Sequence, residues 1–210
     1  LLDLSSWTLA FNGAEPVRVE TIERFSDRFR DRGFQREAFY PCYGLAEATL
    51  LVSGGTRGTG PLVQPFEHSR LSSEPTASVS GAASHLLVSC GVDRSGRQIR
   101  IVHPDSGIAC AEGQVGEIWV SGPCVAQGYW QREQESRETF QASLGGTGEG
   151  PFLRTGDLGF LKDGELFVTG RLKDLIIIRG RNHYPHDIER TVEECHPGLR
   201  PGAGAAFAIT

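Results

Sequence analysis

The chain has 210 residues, 39% hydrophobic and 22% charged, enough to bury a sizeable core. Its net charge of −5, without long single-sign blocks, argues against a nucleic-acid surface, and no apolar run approaches the ~20 residues of a membrane span. Five cysteines (Cys42, Cys90, Cys110, Cys124 and Cys195), odd in number and without CxxC spacing, favour reduced thiols in a cytoplasmic protein over a zinc site or a disulfide framework.

In chain order, Trp7 to Phe11 reads as a strand running into a glycine turn. A helix follows, with Val19, Ile22, Phe25 and Phe29 on one face, Pro16 suited to its first turn and Gly33 to its end. The free N–H groups of that helix start make Asn12 to Glu15 a candidate contact surface for a polar ligand; a plain turn explains the same residues as well. An apolar stretch then breaks at Pro41, and Gly44 precedes a short helix-prone segment, Leu45 to Leu50. From about Ser53 to Ser84 the period is lost among Gly, Ser, Pro and Thr, which reads as a loop or irregular insertion.

From Leu86 onward, HLLVSCG, RQIRIVH, GEIWVSG and GELFVTG read as short strands of a mainly antiparallel region, with a helical piece near Gln131 to Gln141. The end reads strand (DLIIIRG), turn, helix (HDIERTVEECH) and strand (AAFAI), with Ile188, Val192 and Cys195 sharing one helical face as core packing. The chain contains no Met and opens on Leu1-Leu2-Asp3-Leu4, so a piece of a longer product is expected, and no secretory leader is seen at its start. In RTGDLGF, Asp157 sits between glycines. Either a tight turn needs this chemistry, or a small ligand approaches the backbone and the carboxylate accepts hydrogen bonds from it.

Four stretches, FNGAEP, YGLAEATL, RTGDLGF and GRLKDLIIIRGRNHYPHDIE, stand in the order and spacing that resemble the adenylate-forming superfamily of acyl-CoA synthetases, nonribosomal adenylation domains and luciferases. Within it the wording is similar to the fatty acyl-AMP ligases. The resemblance implies a mixed α/β (α+β) fold in three parts: the end of an α/β subdomain, a distorted β-barrel subdomain, and the start of a small α+β C-terminal domain. On that division residues 1–172 belong to the large AMP-binding domain (1–55 nucleotide-contacting, 56–85 loop or insertion, 86–172 β-barrel part), and 173–210 begin the small mobile domain.

The implied reaction takes ATP and Mg²⁺, turns a fatty acid into an acyl-adenylate with release of pyrophosphate, and hands the acyl group to an acyl carrier protein, as in polyketide biosynthesis. By resemblance Glu47 is the metal-holding catalytic carboxylate, and Tyr43 stacks on adenine with Gly13, Ala14 and Glu15 on the other side of the base. Gly44, Leu45 and Ala46 belong to the same nucleotide-binding motif. Asp157 accepts from the ribose hydroxyls, with a Gly on each side clearing space for the sugar, and Arg171 reaches the ribose and phosphates. Lys173 is the hinge, Gly180 suits close approach of a phosphopantetheine arm, and His183 orders its loop.

The family's phosphate loop is expected upstream of Leu1 and its catalytic lysine downstream of Thr210, so the isolated chain is expected to be inactive. Part of Pro61 to Ala83 reads as the insertion that distinguishes acyl-AMP ligases. An acyl-CoA ligase, an amino-acid adenylation domain and a catalytically dead carrier-docking module are the competing readings.

Overall fold

A computed structural model describes residues 2–67, 84–93, 96, 98–179 and 181–209. The chain is mixed α and β. Strand β1 (Ala10–Asn12) pairs parallel with β2 (Phe39–Leu45), and β2 pairs antiparallel with β3 (Leu50–Gly54). Helix α1 (Val19–Phe29) makes the crossover that a parallel pair requires. It buries Ile22 against Ala10, Phe34 and Phe39, and Phe25 meets the rings of Phe34 and Phe39 edge-on at 5.0 and 5.7 Å.

Two readings of this region change. The strand expected from Trp7 shrinks to Ala10–Asn12, because only those residues find a partner on β2; the Trp7 indole N–H instead donates to the Leu9 carbonyl at 2.9 Å. The helix starts at Val19, after an extended Arg18. Pro16 therefore lies in the lead-in, Asn12 ends β1, and Gly13 to Glu15 form a loop rather than the helix tip. At the other end, Gly33 closes the short 3-10 extension Arg30–Arg32 with φ of 83°, as its position suggested.

Four strands, β6 (Gln98–Val102), β7 (Gly116–Ser121), β8 (Leu153–Lys162) and β9 (Glu165–Arg171), form an antiparallel sheet in that order. Among the described residues it stays open rather than closing into a barrel. It joins the first sheet through segment 89–92. Gly54 bridges Val92, and Leu166 of β9 exchanges backbone bonds with Cys90 and Gly91 at 2.7 and 2.8 Å. The two sheets share one core, in which Tyr43 and Val52 pack with Ile118, Val120, Leu153 and Leu166. Phe66, Phe160 and Phe167 make a further cluster. Helix α2 (Glu133–Phe140) lies where the sequence put it and buries Phe140 in the shared core.

The aperiodic stretch from Ser53 holds a strand that the sequence concealed. Strand β4 (Val63–Glu67) pairs with β5 (Ser84–Val88), with Pro65 opposite Leu86. A proline inside a short run hides a strand from pattern reading. Residues 68–83, most of the expected insertion, lie outside the described residues, as does Gly180.

After the turn Leu172–Asp174, β10 (Ile176–Ile178) and β11 (Arg181–His183) form a hairpin that leads into α3 (Pro185–Glu194). Among the described residues the Ile188, Val192 and Cys195 face finds no core: no residue of α3 is buried, and Val192 is 51% exposed. The periodicity forms the helix, but among the described residues packing is supplied only near its start, where buried Tyr184 lies against Gly170. The expected strand AAFAI is absent, since residues 203–209 find no ladder; the Ala206 N–H donates to Glu189 Oε1 at 2.9 Å instead.

Candidate functional site

A cleft of about 650 Å³ opens where the two sheets meet the C-terminal segment. Ala14 and Glu15 from the loop after β1, Tyr43, Gly44 and Leu45 from β2, Asp157 from β8, and Arg171 and Lys173 from the end of β9 and the turn after it all line it. Pieces far apart in sequence thus converge, as the motifs suggested. Gly13, Ala46 and Glu47 stand outside its lining.

The register of β8 on β9 places Asp157 directly opposite Arg171. Arg171 Nε donates to Asp157 Oδ1 at 3.0 Å, and the Tyr43 hydroxyl donates to Oδ2 at 2.8 Å. Each carboxylate oxygen keeps acceptor capacity, because an ionised carboxylate has about four lone-pair sites. The Arg171 side chain is 56% exposed, so its pair with Asp157 contributes little to stability. The hydrogen bond and charge of Asp157 hold the guanidinium protonated more firmly than usual.

Tyr43 is only 8% exposed, with its ring in the shared core. Burial first, and the Asp157 charge second, push its phenol far above the ordinary range, which keeps it a hydrogen-bond donor. The ring therefore anchors Asp157 from below and presents only its remainder to the cleft.

Glycine does different work at different positions here. Gly44 is required by the chain itself: a Cβ there would lie 1.5 Å from the Leu50 carbonyl oxygen, at the irregular crossing of β2 and β3. Gly156 has φ of 73° and open space around it, whereas a Cβ at Gly159 would meet the Phe167 carbonyl at 2.5 Å. Only the glycine before Asp157 has open space beside it; the one after it serves sheet packing. Ala14 holds a positive φ of 71° at the cleft wall, an uncommon conformation for a side chain with Cβ.

Glu47 lies in a 3-10 turn, Ala46–Ala48, and its Oε1 accepts the Tyr129 hydroxyl at 2.7 Å. Burial and the Glu47 carboxylate push the Tyr129 phenol up to about 12. Among the described residues no cluster of three or more His, Cys, Asp or Glu is arranged to hold a metal. A Mg²⁺ at Glu47 would take its other ligands from phosphate oxygens and water, which is how this ion is usually bound beside a single carboxylate. The residues fit the ion on that condition.

Sequence reading missed Tyr129, and also a buried network under Asp157 made by Glu117, Arg154, Thr155 and Trp119. The signal for the network was present: Glu117 is the lone charge in the strand run GEIWVSG, and Arg154 opens RTGD.

The family model of the AMP-binding enzymes matches residues 2–130. Over 99% of its length the chain is 55% identical to a medium-chain-fatty-acid–[acyl-carrier-protein] ligase, JamA, of Moorena producens (strain JHB), covering 36% of that protein. It is 44% identical to the long-chain-fatty-acid–AMP ligase FadD28 of Mycobacterium tuberculosis over 93% of its length and 34% of that protein's. Among solved structures, a fatty acyl-adenylate ligase from L. pneumophila in complex with acyl adenylate and pyrophosphate superposes with a TM-score of 0.73 at 47% identity, over 100% of this chain and 37% of that one. The chain spans about a third of the length of the relatives it matches. It belongs to the AMP-binding enzyme family, and these relatives within it are fatty-acid ligases.

Proposed function

We propose that the protein to which this chain belongs activates a fatty acid with ATP, forming an acyl-adenylate and pyrophosphate, and then passes the acyl group to the phosphopantetheine thiol of an acyl carrier protein. The observation that carries this reading is the convergence of Asp157, Arg171, Tyr43 and the Ala14–Glu15 loop on one cleft. The names of its relatives supply the substrate class. A fatty carboxylate is ionised at pH 7, so attack of its oxygen on the α-phosphorus, with departure of pyrophosphate, calls for no general base. The obstacle is bringing an anion to a polyanion, which positioning and positive charge overcome.

On this reading Asp157 accepts from the ribose hydroxyls and Arg171 reaches from beside it to the ribose and phosphates. Tyr43 and the backbone of Ala14 and Glu15 border the base, with Gly44 and Leu45 continuing that wall and Gly13 and Ala46 as their chain neighbours outside the lining. Glu47, oriented by Tyr129, would hold Mg²⁺, which supplies positive charge against the phosphates when bound. Residues 173–210 begin a small domain that pivots at Lys173, within the turn Leu172–Asp174, before the thiol attacks the acyl carbonyl and AMP leaves. Five free thiols support a cytoplasmic setting.

The test uses the intact parent protein with ATP, Mg²⁺ and dodecanoate, offered CoA and phosphopantetheinylated carrier protein together, and mass spectrometry to locate the acyl group. Acyl-adenylate and acyl carrier product without acyl-CoA is the expected result. Acyl-CoA as the main product moves the protein to the CoA ligases. The 210-residue chain alone is expected to release no pyrophosphate from ATP, and turnover by it would remove the need for segments outside it.

A further inference from the structure

The ladder between β7 and β8 is interrupted next to the candidate ribose acceptor. Glu117 pairs with Leu158 and Trp119 pairs with Arg154, so Ile118 alone on β7 stands against Thr155, Gly156 and Asp157 on β8. A bulge of this kind leaves backbone groups without ladder partners, and buried ones must be satisfied otherwise. The Thr155 hydroxyl donates to the Ile118 carbonyl at 2.7 Å and accepts the Asp157 N–H at 3.1 Å. The Gly156 N–H donates to Glu117 Oε1 at 3.1 Å.

Glu117 is a carboxylate with a side chain only 2% exposed, a placement that costs several kcal/mol unless charge and hydrogen bonds compensate. They do. Arg154 donates to Oε2 through Nε at 3.1 Å and Nη2 at 2.8 Å, and the Trp119 indole N–H donates to Oε2 at 2.9 Å. The Arg154 guanidinium also lies 5.6 Å from the Trp119 ring centroid. Among the described residues every side-chain or backbone donor to this acid belongs to the bulge, to the residue preceding it, or to the acid's own strand β7.

We propose that Glu117 is a positioning residue. It holds the Thr155–Asp157 bulge in the one shape that presents the Asp157 carboxylate to the cleft, so nucleotide affinity depends on a side chain that touches no ligand. The proposal rests on the reading of Asp157 as the ribose acceptor, and Thr155 acts in the same way from the bulge itself.

The test is a double-mutant cycle in the intact parent protein, using Glu117→Gln, Asp157→Ala and both together. Affinity for ATP and for 2′,3′-dideoxy-ATP is measured by calorimetry in the absence of fatty acid. Glu117→Gln keeps the shape and an acceptor for Gly156 while removing the charge; Arg154, partly exposed, can turn to water. The expected loss of ATP affinity is about tenfold, as for supporting residues around other binding groups. It should fall below about twofold both in the Asp157→Ala background and for the dideoxy analogue.

Equal losses for both nucleotides, or losses that simply add to those of Asp157→Ala, make Glu117 a structural residue and overturn the proposal. If Asp157→Ala alone leaves ATP affinity unchanged, the ribose reading of Asp157 fails, and the proposal fails with it. Should Glu117→Gln not fold, Thr155→Val removes the hydroxyl that ties the same bulge, and the same cycle applies.

Discussion

The two walls of the cleft are built with opposite amounts of core. Asp157 and Arg171 stand on β8 and β9, whose inner residues Phe160 and Phe167 are sealed from solvent and stacked at 5.1 Å with planes 7° apart. Among the described residues the facing wall, from Lys173 through α3, contributes Ile176 and Tyr184 to the buried set, and α3 itself contributes none. One wall fixes a carboxylate in space; the other is laid against it through a few contacts. A wall with few buried contacts opens at lower free energy than one anchored in a core, which is the physical condition that the proposed hinge at Lys173 requires.

The largest effect should come from the sheet. Phe167→Ala removes a fully buried ring and is expected to cost about 3–5 kcal/mol of unfolding free energy by denaturant titration. Val192→Ala, on the exposed face of α3, should change it by no more than about 0.5 kcal/mol. Comparable costs at the two sites would erase the contrast. A middle-sized effect is expected at the seam. A Cβ at Gly170 would lie 2.8 Å from Tyr184 Cδ1, so Gly170→Ala must displace that ring, at about 1–3 kcal/mol. Hydrogen exchange should then speed up from Tyr184 through α3 while β7 and β8 stay protected; uniform acceleration would mean that the segment and the sheet unfold as one unit.

The same contrast explains what the sequence disclosed. Helices α1 and α2 and strands β6, β7 and β9 were legible because amphipathic period and turn residues are local properties, whereas β8 runs through RTGDLGF, which reads as a turn or a ligand contact in the sequence. Asp157, Arg171 and Tyr43 were legible through their motifs, and the structure draws them together through a strand register that motifs only imply. What stayed hidden depends on partners. Strand β4 carries a proline and shows itself only in its pairing with β5, and the exposure of Val192 depends on what packs over it. The need for Gly44 comes from a carbonyl six residues away, and the partners of Glu117, a lone charge in its strand run, follow from the bulge of β8 over it.

The smallest effect, and the most specific to the seam, is a pH dependence at His186, which lines the cleft at the start of α3. Burial holds this imidazole below its usual value; Arg18 and Arg190 push the same way, while Asp187 and Glu189 oppose them. A folded value below the unfolded value of about 6.5 means that the unfolded segment takes up the proton first as pH falls. The contribution of His186 to docking is therefore complete above about pH 6.5 and declines below it, until the folded value is passed. Hydrogen exchange of α3, referred to that of β8, should quicken between pH 7.5 and 5.5 after correction for intrinsic rates. His186→Gln cannot take up that proton, so the acid-side loosening should flatten in this variant while the β8 amides behave as before. An unchanged slope in His186→Gln would show that the loosening does not arise from this imidazole, and the burial of His186 would then contribute nothing to holding the seam.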